Sequence, residues 1–219
     1  MLELLHGNKR YSSWSQRGYL ALCHAGLPFR ETAIWLDTAA GDDLLRERCP
    51  NGSVPVLYDG DTVIADSLGI VLWLEAQYGV AFWPEEPAAR AQALNGVMAI
   101  HSGYLSLRGE MVCNYPRRYQ RFEVSRAARS DLDAIFDWML QSRARFGDAS
   151  GGPWLCGEYG AADFFYAPVL SRCRTYGVAL PAGLESWAEA MESRTDVQAW
   201  LEAGEREVER ISASEYDTP

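Results

Sequence analysis

Lysine is nearly missing from this chain: Lys9 stands alone, and every other cationic side chain is arginine. Positive charge of either kind is scarce, with 20 Lys and Arg against 30 Asp and Glu, a formal charge of −10 and a pI near 4.8. Nucleic-acid partners demand a basic face, so this balance excludes them. It also means that an anionic ligand must find its positive counterpart locally, in individual arginines or helix starts. Long apolar runs are absent as well, since none approaches the roughly 18 residues of a membrane span. No leader pattern precedes the strand-like start Leu2 to Leu5, and the expected location is cytoplasmic, with no membrane partner. The cysteines, Cys23, Cys49, Cys113, Cys156 and Cys173, are odd in number and scattered. Without a CxxC or a metal-ligand spacing, and with His6, His24 and His101 equally dispersed, they point to a reducing compartment and to no metal. Internal repeats and low-complexity segments are missing too.

What is present concentrates between Asn51 and Ser67. Val56 to Tyr58 and Thr62 to Ala65 read as strands, and Asp59-Gly60 between them is a hairpin signal. Asp66 and Ser67 stand where a helix begins, before the apolar run Leu68 to Leu74. A helix start offers free backbone N–H groups and partial positive charge, which suits a carboxylate ligand. Pro55 is a candidate cis proline that would turn the backbone groups of Val54 outward. Exposed backbone groups beside an anion-binding helix start make a site for a small peptide.

A second motif lies upstream, Tyr11-Ser12-Ser13-Trp14-Ser15-Gln16-Arg17. It sits between the first strand and a helical pattern with Tyr19, Leu20, Cys23 and Leu27 on one face, stopped by Gly26. A hydroxyl at a helix start, aided by the helix dipole, stabilises a thiolate and makes it nucleophilic. The same serines can equally serve as helix caps.

Through residue 80 strands and helices alternate: a strand over Leu2–Leu5, a helix over Ser15–Ala25, a strand over Phe29–Leu36, a short helix over Gly41–Arg48, the hairpin, and a helix over Ser67–Tyr78 ending at Gly79. Val80 to Ala88, with Trp83-Pro84 and Pro87, forms a joint, and Pro87 fits a first helical turn. Beyond it strand signals vanish. Long amphipathic helical stretches run over Ala88–Met111, Glu123–Phe146, Ala161–Tyr176 and Leu184–Ile211.

This order, α/β and then all-α, together with Val54-Pro55, Asp66-Ser67 and the serine run, resembles the glutathione S-transferase family. The serine run is similar to that of its serine-type members, the zeta class in particular. The resemblance implies a thioredoxin-like N-terminal domain over residues 1–80 and an all-helical C-terminal domain over 86–219. It further implies a cytoplasmic, bacterial-type homodimeric detoxification enzyme with glutathione as co-substrate. By the same match Ser12 would face the thiolate, with Ser13 in reserve, and Ser53, Val54, Pro55, Asp66 and Ser67 would bind glutathione. Met98, His101, Tyr104, Arg108 and Met111, expected on the first long helix, would line the pocket for an electrophile. Two positions depart from the family pattern. Ser53 replaces a frequent Lys or Gln, for which Arg10 could compensate, and Gly160 replaces a Ser or Thr that caps a helix through Asp163. Tyr159 and Phe164 would supply the accompanying hydrophobic staple. Two other functions fit the same residues: a maleylacetoacetate-type isomerase that uses glutathione, and a catalytically idle binding protein.

Overall fold

The computed structural model describes residues 1–216. In chain order the elements are β1 (Leu2–His6), α1 (Ser13–Ala25), β2 (Phe29–Ala33), α2 (Ala39–Arg48), β3 (Val56–Asp59), β4 (Thr62–Ile64), α3 (Ser67–Tyr78), α4 (Pro87–Ser102), α5 (Leu105–Glu110), α6 (Arg126–Ser142), the one-turn α7 (Asp148–Ser150), α8 (Ala161–Tyr176), α9 (Glu185–Ser193) and α10 (Thr195–Arg206). Two compact units emerge. Among the described residues, one comprises Met1–Val80, Asn114–Pro116 and the segment from Ala199 to Tyr216; the other comprises Ala81–Cys113 and Arg117–Gln198. Asn114–Pro116 and the segment from Ala199 to Tyr216 thus join the first unit although they follow residue 80 in the chain. Hydrogen bonds explain their allegiance: the Tyr115 amide donates to Arg10 O at 3.1 Å, and the Lys9 amide donates to Glu207 Oε1 at 2.6 Å.

The first unit has the thioredoxin-like order, β-α-β followed by β-β-α. Its sheet runs β2-β1-β3-β4, with β1 parallel to β2 and antiparallel to β3, and β3 antiparallel to β4. The β2 strand stops at Ala33, short of the expected Leu36. Thr38 caps α2 through its hydroxyl and the Gly41 amide, 3.0 Å apart, so that helix starts two residues early. Leu5, Ile34, Cys49 and Val56 form a core with Leu44 and Leu45 of α2. Strand alternation puts Glu3 on the same face as Leu5. The carboxylate is buried there and satisfied by Arg30 at 2.8 Å, Thr32 at 2.7 Å and Arg48 at 3.0 Å. Burial pushes this carboxyl upward, but the hydrogen bonds from Arg48, Thr32 and Arg30 outweigh it and hold it at about 2.

In the helical unit, α4 opens as expected with Pro87 in its first turn, and the Glu86 carboxylate accepts from the Ala88 and Ala89 amides. The stretch Ala88–Met111 is not one helix. Gly103 is extended and Tyr104 has φ 60°, so α4 ends at Ser102 and α5 begins at Leu105. Arg194 likewise separates α9 from α10, with ψ 130°. The α8 helix is not amphipathic: every residue except Ser171 and Arg174 is buried, as befits a helix surrounded by others. At its start Asp163, completely buried, accepts from the Gly160 amide (3.0 Å), the Leu155 amide (2.9 Å) and the Trp187 indole (3.0 Å). Burial raises its carboxyl to about 6 against the pull of these donors. The Tyr159 and Phe164 rings lie 6.2 Å apart beside the cap. Gly160 itself has a steric reason to lack a side chain: a β-carbon there would lie 2.6 Å from Phe82 O, which already accepts the Ala161 amide at 2.9 Å.

Two expectations follow. Because the Glu3 carboxyl sits below its ordinary value of 4.5, its contribution is full above that value and is lost as pH falls towards 2. Glu3→Gln should therefore cost on the order of 2–3 kcal/mol at neutral pH in urea unfolding, and the gap should close near pH 2; a gap independent of pH would contradict the ion-pair account. Gly160→Ser, which restores a capping side chain, should lower the melting temperature, with a cost of about 1–3 kcal/mol from overpacking. A raised melting temperature would show that Phe82 yields.

Candidate functional site

The first unit brings three of the nominated segments together: the start of α1, the Val54-Pro55 loop and the start of α3. The Val54–Pro55 bond is cis, as Pro55 suggested. Gly18 of α1 lies at the junction, where a β-carbon would sit tightly, 3.2 Å from the Pro55 ring and 3.3 Å from Ile70 of α3. Asn51 secures the preceding loop by donating from Nδ2 to Ala65 O at 3.0 Å.

At the α3 start, Asp66 is the cap: its Oδ1 accepts from the Leu68 amide at 2.7 Å and the Gly69 amide at 3.0 Å, and its carbonyl accepts from the Ile70 amide. Those bonds account for the second to fourth N–H groups of the helix; the first is that of Ser67. The Ser67 side chain is 1% exposed, and its hydroxyl oxygen is buried without a hydrogen-bond partner. Buried hydroxyls are rarely left so, and an unmet one calls for an explanation. A carboxylate accepting from both the hydroxyl and the amide would supply it.

At the α1 start, Ser12 is the N-cap. Its Oγ accepts from the Ser15 amide at 3.2 Å and lies 2.8 Å from Ser15 Oγ, which also accepts the Gly7 amide at 3.1 Å. Ser15 is thus the centre of the cluster, a role not read from the sequence, although a polar residue three places after a capping serine is the capping-box spacing. Ser13 occupies the first helical position and is buried. Gln16 is buried too, and its Oε1 accepts from the Tyr115 hydroxyl at 2.8 Å. Arg17, fully buried, places its guanidinium 4.7 Å over the Trp14 ring.

Ser53 is exposed and Val54 half-buried. Arg10 does not compensate for the missing Lys or Gln: it is buried and donates to Glu205 O at 3.1 Å and Glu207 O at 3.3 Å. In the helical unit the five residues nominated for an electrophile are split by the break at Gly103. Met98 is exposed and His101 half-buried against Phe165, ring centroids 6.4 Å apart. Tyr104 sits at the break with φ 60°. Arg108 closes the turn, donating to Gly103 O at 2.9 Å and to Ile100 O, and burial lowers its guanidinium to about 10. Met111 is completely buried. A cavity of about 550 Å³ in this unit lies elsewhere, lined among others by Trp83, Arg145, Phe146, Cys156 and Tyr159, and contains none of the five. Among the described residues no helix is long and apolar enough to cross a membrane, and no group of three or more His, Cys, Asp or Glu could hold a metal ion.

The chain thus joins a thioredoxin-like unit, with serines in place of redox cysteines at α1, a cis Val54–Pro55 bond and a buried unpartnered hydroxyl at α3, to a helical unit. Residues 11–77 match the family described as "Glutathione S-transferase, N-terminal domain", and residues 115–203 match "Glutathione S-transferase, C-terminal domain". With both domains matched over more than two thirds of its length, the chain belongs to the glutathione S-transferase family. A curated relative, Glutathione S-transferase 1 of Dianthus caryophyllus, is 35% identical over 108 residues, 48% of this chain and 48% of the relative. The chain thus spans about half the length of the curated relative it matches. Among solved structures, a glutathione transferase homologue from Burkholderia with bound glutathione superposes with a TM-score of 0.70 at 20% identity, covering 94% of this chain and 99% of that one. The Tau class glutathione S-transferase of mango, Mangifera indica, gives a TM-score of 0.69 at 20% identity, with coverages of 93% and 96%. These likenesses show the fold.

Proposed function

We propose that this chain is a glutathione-dependent transferase of the serine type, with Ser12 as the hydroxyl that faces the thiol. The observation that carries the reading is the buried, unpartnered Ser67 hydroxyl at the start of α3. It marks a place for a carboxylate of glutathione, with the Ser67 amide as second donor and the loop of Ser53, Val54 and Pro55 alongside for the peptide backbone. Asp66 serves this site by capping: it engages the neighbouring amides and so leaves that of Ser67 to the ligand.

Ser12 can serve a sulfur without giving up its capping role. A hydroxyl oxygen both donates and accepts, and oxygen positions do not fix which of two serines donates. With Ser15 Oγ donating to Ser12 Oγ, the Ser12 proton is released to point at a thiolate. The Ser15 amide and the Gly7 amide then keep their bonds. The α1 dipole acts in the same direction. The thiol proton leaves to solvent, the sulfur lone pair forms the new bond to an electrophilic carbon, and the displaced group departs with its electron pair. For the electrophile, Met98, His101 and Tyr104 remain our candidates, while Arg108 and Met111 are committed to the α4–α5 turn and the core.

Ser67→Ala should weaken glutathione binding about tenfold or more in calorimetry, since a hydrogen bond to a charged group contributes about 1.5–3 kcal/mol. Unchanged affinity would mean that no carboxylate lies there. Ser12→Ala should raise the pKa of the bound thiol, read from thiolate absorbance against pH, and its turnover should recover partly in alkali. A shift in Ser13→Ala and none in Ser12→Ala would move the role to Ser13. Glutathione that binds to the unaltered protein yet titrates as it does in free solution would identify an idle binding protein.

A further inference from the structure

The loop that delivers Ser12 is fastened from a point about two hundred residues away. Between β1 and α1 the chain turns on Asn8, whose carbonyl accepts the Tyr11 amide at 3.1 Å and the Ser12 amide at 2.8 Å. The two intervening amides point the other way. Lys9 N donates to Glu207 Oε1 at 2.6 Å and Arg10 N to Glu207 Oε2 at 3.0 Å. One carboxylate thus spans two successive N–H groups, a fork that fixes the direction of a peptide segment as well as its position. The fastening is reciprocal, because the Arg10 guanidinium donates to the carbonyls of Glu205 and Glu207. Just before Glu205 the backbone comes so close that a β-carbon on Gly204 would lie 2.9 Å from Arg10 N.

Further contacts hold the same two segments. The Tyr11 hydroxyl donates to Glu215 Oε1 at 2.5 Å. Lys9, the single lysine, lies 4.8 Å from the Tyr19 ring and 5.1 Å from that of the fully buried Trp200, and pairs with Glu31 at 2.6 Å. A helix cap needs none of this, since Ser12 and Ser15 close the first turn of α1 by themselves. What the tail adds is the placement of that turn.

We propose that Glu207 is a positioning residue for the thiol-facing serine, its carboxylate holding the Lys9–Arg10 peptide so that Ser12 stands at a fixed place at the head of α1. This rests on the reading of Ser12 given above. A hydroxyl that must meet a sulfur within hydrogen-bond distance tolerates little displacement, and a misplacement of about 1 Å can cost roughly a hundredfold in rate. Ligand affinity, set mainly at α3, should be nearly indifferent to Glu207.

The test compares Glu207→Ala, Glu207→Gln and Ser12→Ala with the unaltered full chain. Glu207→Ala should lower the acid dissociation constant of the bound glutathione thiol about tenfold, with the calorimetric affinity for glutathione, measured at a pH where the bound thiol is protonated, within about twofold of normal. It should also speed amide hydrogen exchange at residues 11–15 about tenfold while leaving residues 67–70 unchanged. Glu207→Gln, which keeps one acceptor for the loop and folds even if the alanine variant does not, should fall between the two. If either Glu207 variant folds with unaltered thiol titration and exchange while Ser12→Ala shifts the titration, the proposal is overturned. If Ser12→Ala itself titrates normally, the serine reading has failed, and exchange then decides alone: faster exchange at residues 11–15 upholds the clamp, and unchanged exchange removes it.

Discussion

The close approach at Gly18 is the constraint on which the candidate site depends. With no side chain there, α1 settles against the Pro55 ring and against Ile70 in the first turn of α3. Two helix starts and the proline loop then belong to one packed body. Each helix start alone is a common feature and carries little chemical meaning. Held together, they set the Ser12 and Ser67 hydroxyls in one body, and the proposal of a thiol-peptide site rests on that pair.

Three carboxylates with several donors each show a common logic applied to different ends. Glu3 lies under the sheet among three donors; Asp163 stands at the head of the central helix α8 with three more; Glu207 bridges two amides of the serine loop. An unpaired charge would be costly at the buried Glu3 and Asp163, and the half-buried Glu207 likewise fixes the amides it accepts from. In an acidic chain with one lysine, much of this pairing falls to arginine guanidinium and backbone N–H groups. The scarcity of cations noticed in the sequence thus reappears as reliance on backbone donors, at the helix starts as well as at Glu207.

Local signals were legible where the cause is local. Ser67–Tyr78, bounded by Asp66 and Gly79, follows from a cap, an apolar run and a terminator, and Ala161–Tyr176 is bounded by Gly160 and Gly177 in the same way. Ser12 as a cap and Pro87 in a first turn are of this kind too. Failures arose where distant groups decide. Nothing in the sequence from Ala88 to Met111 demands a break, yet Gly103 and Tyr104 make one, and the Arg108 guanidinium satisfies the carbonyls it frees. Arg10 looked like a cation for a ligand because the sequence does not show that Glu205 and Glu207 occupy it.

The order of elements, the caps, the α/β half followed by the helical half, and the residues that resemble a glutathione site can all be read along the chain. Those features arise from periodicity, turn chemistry and short-range hydrogen bonding, which act over a few residues. Which polar groups remain available depends on how the chain packs. Asp66 is engaged in capping and the Ser67 hydroxyl is not, although the two are adjacent in the chain. The same holds for Glu207, whose partners lie nearly two hundred residues earlier. Availability of a hydrogen-bonding group is settled by everything that packs around it, and no local pattern encodes that.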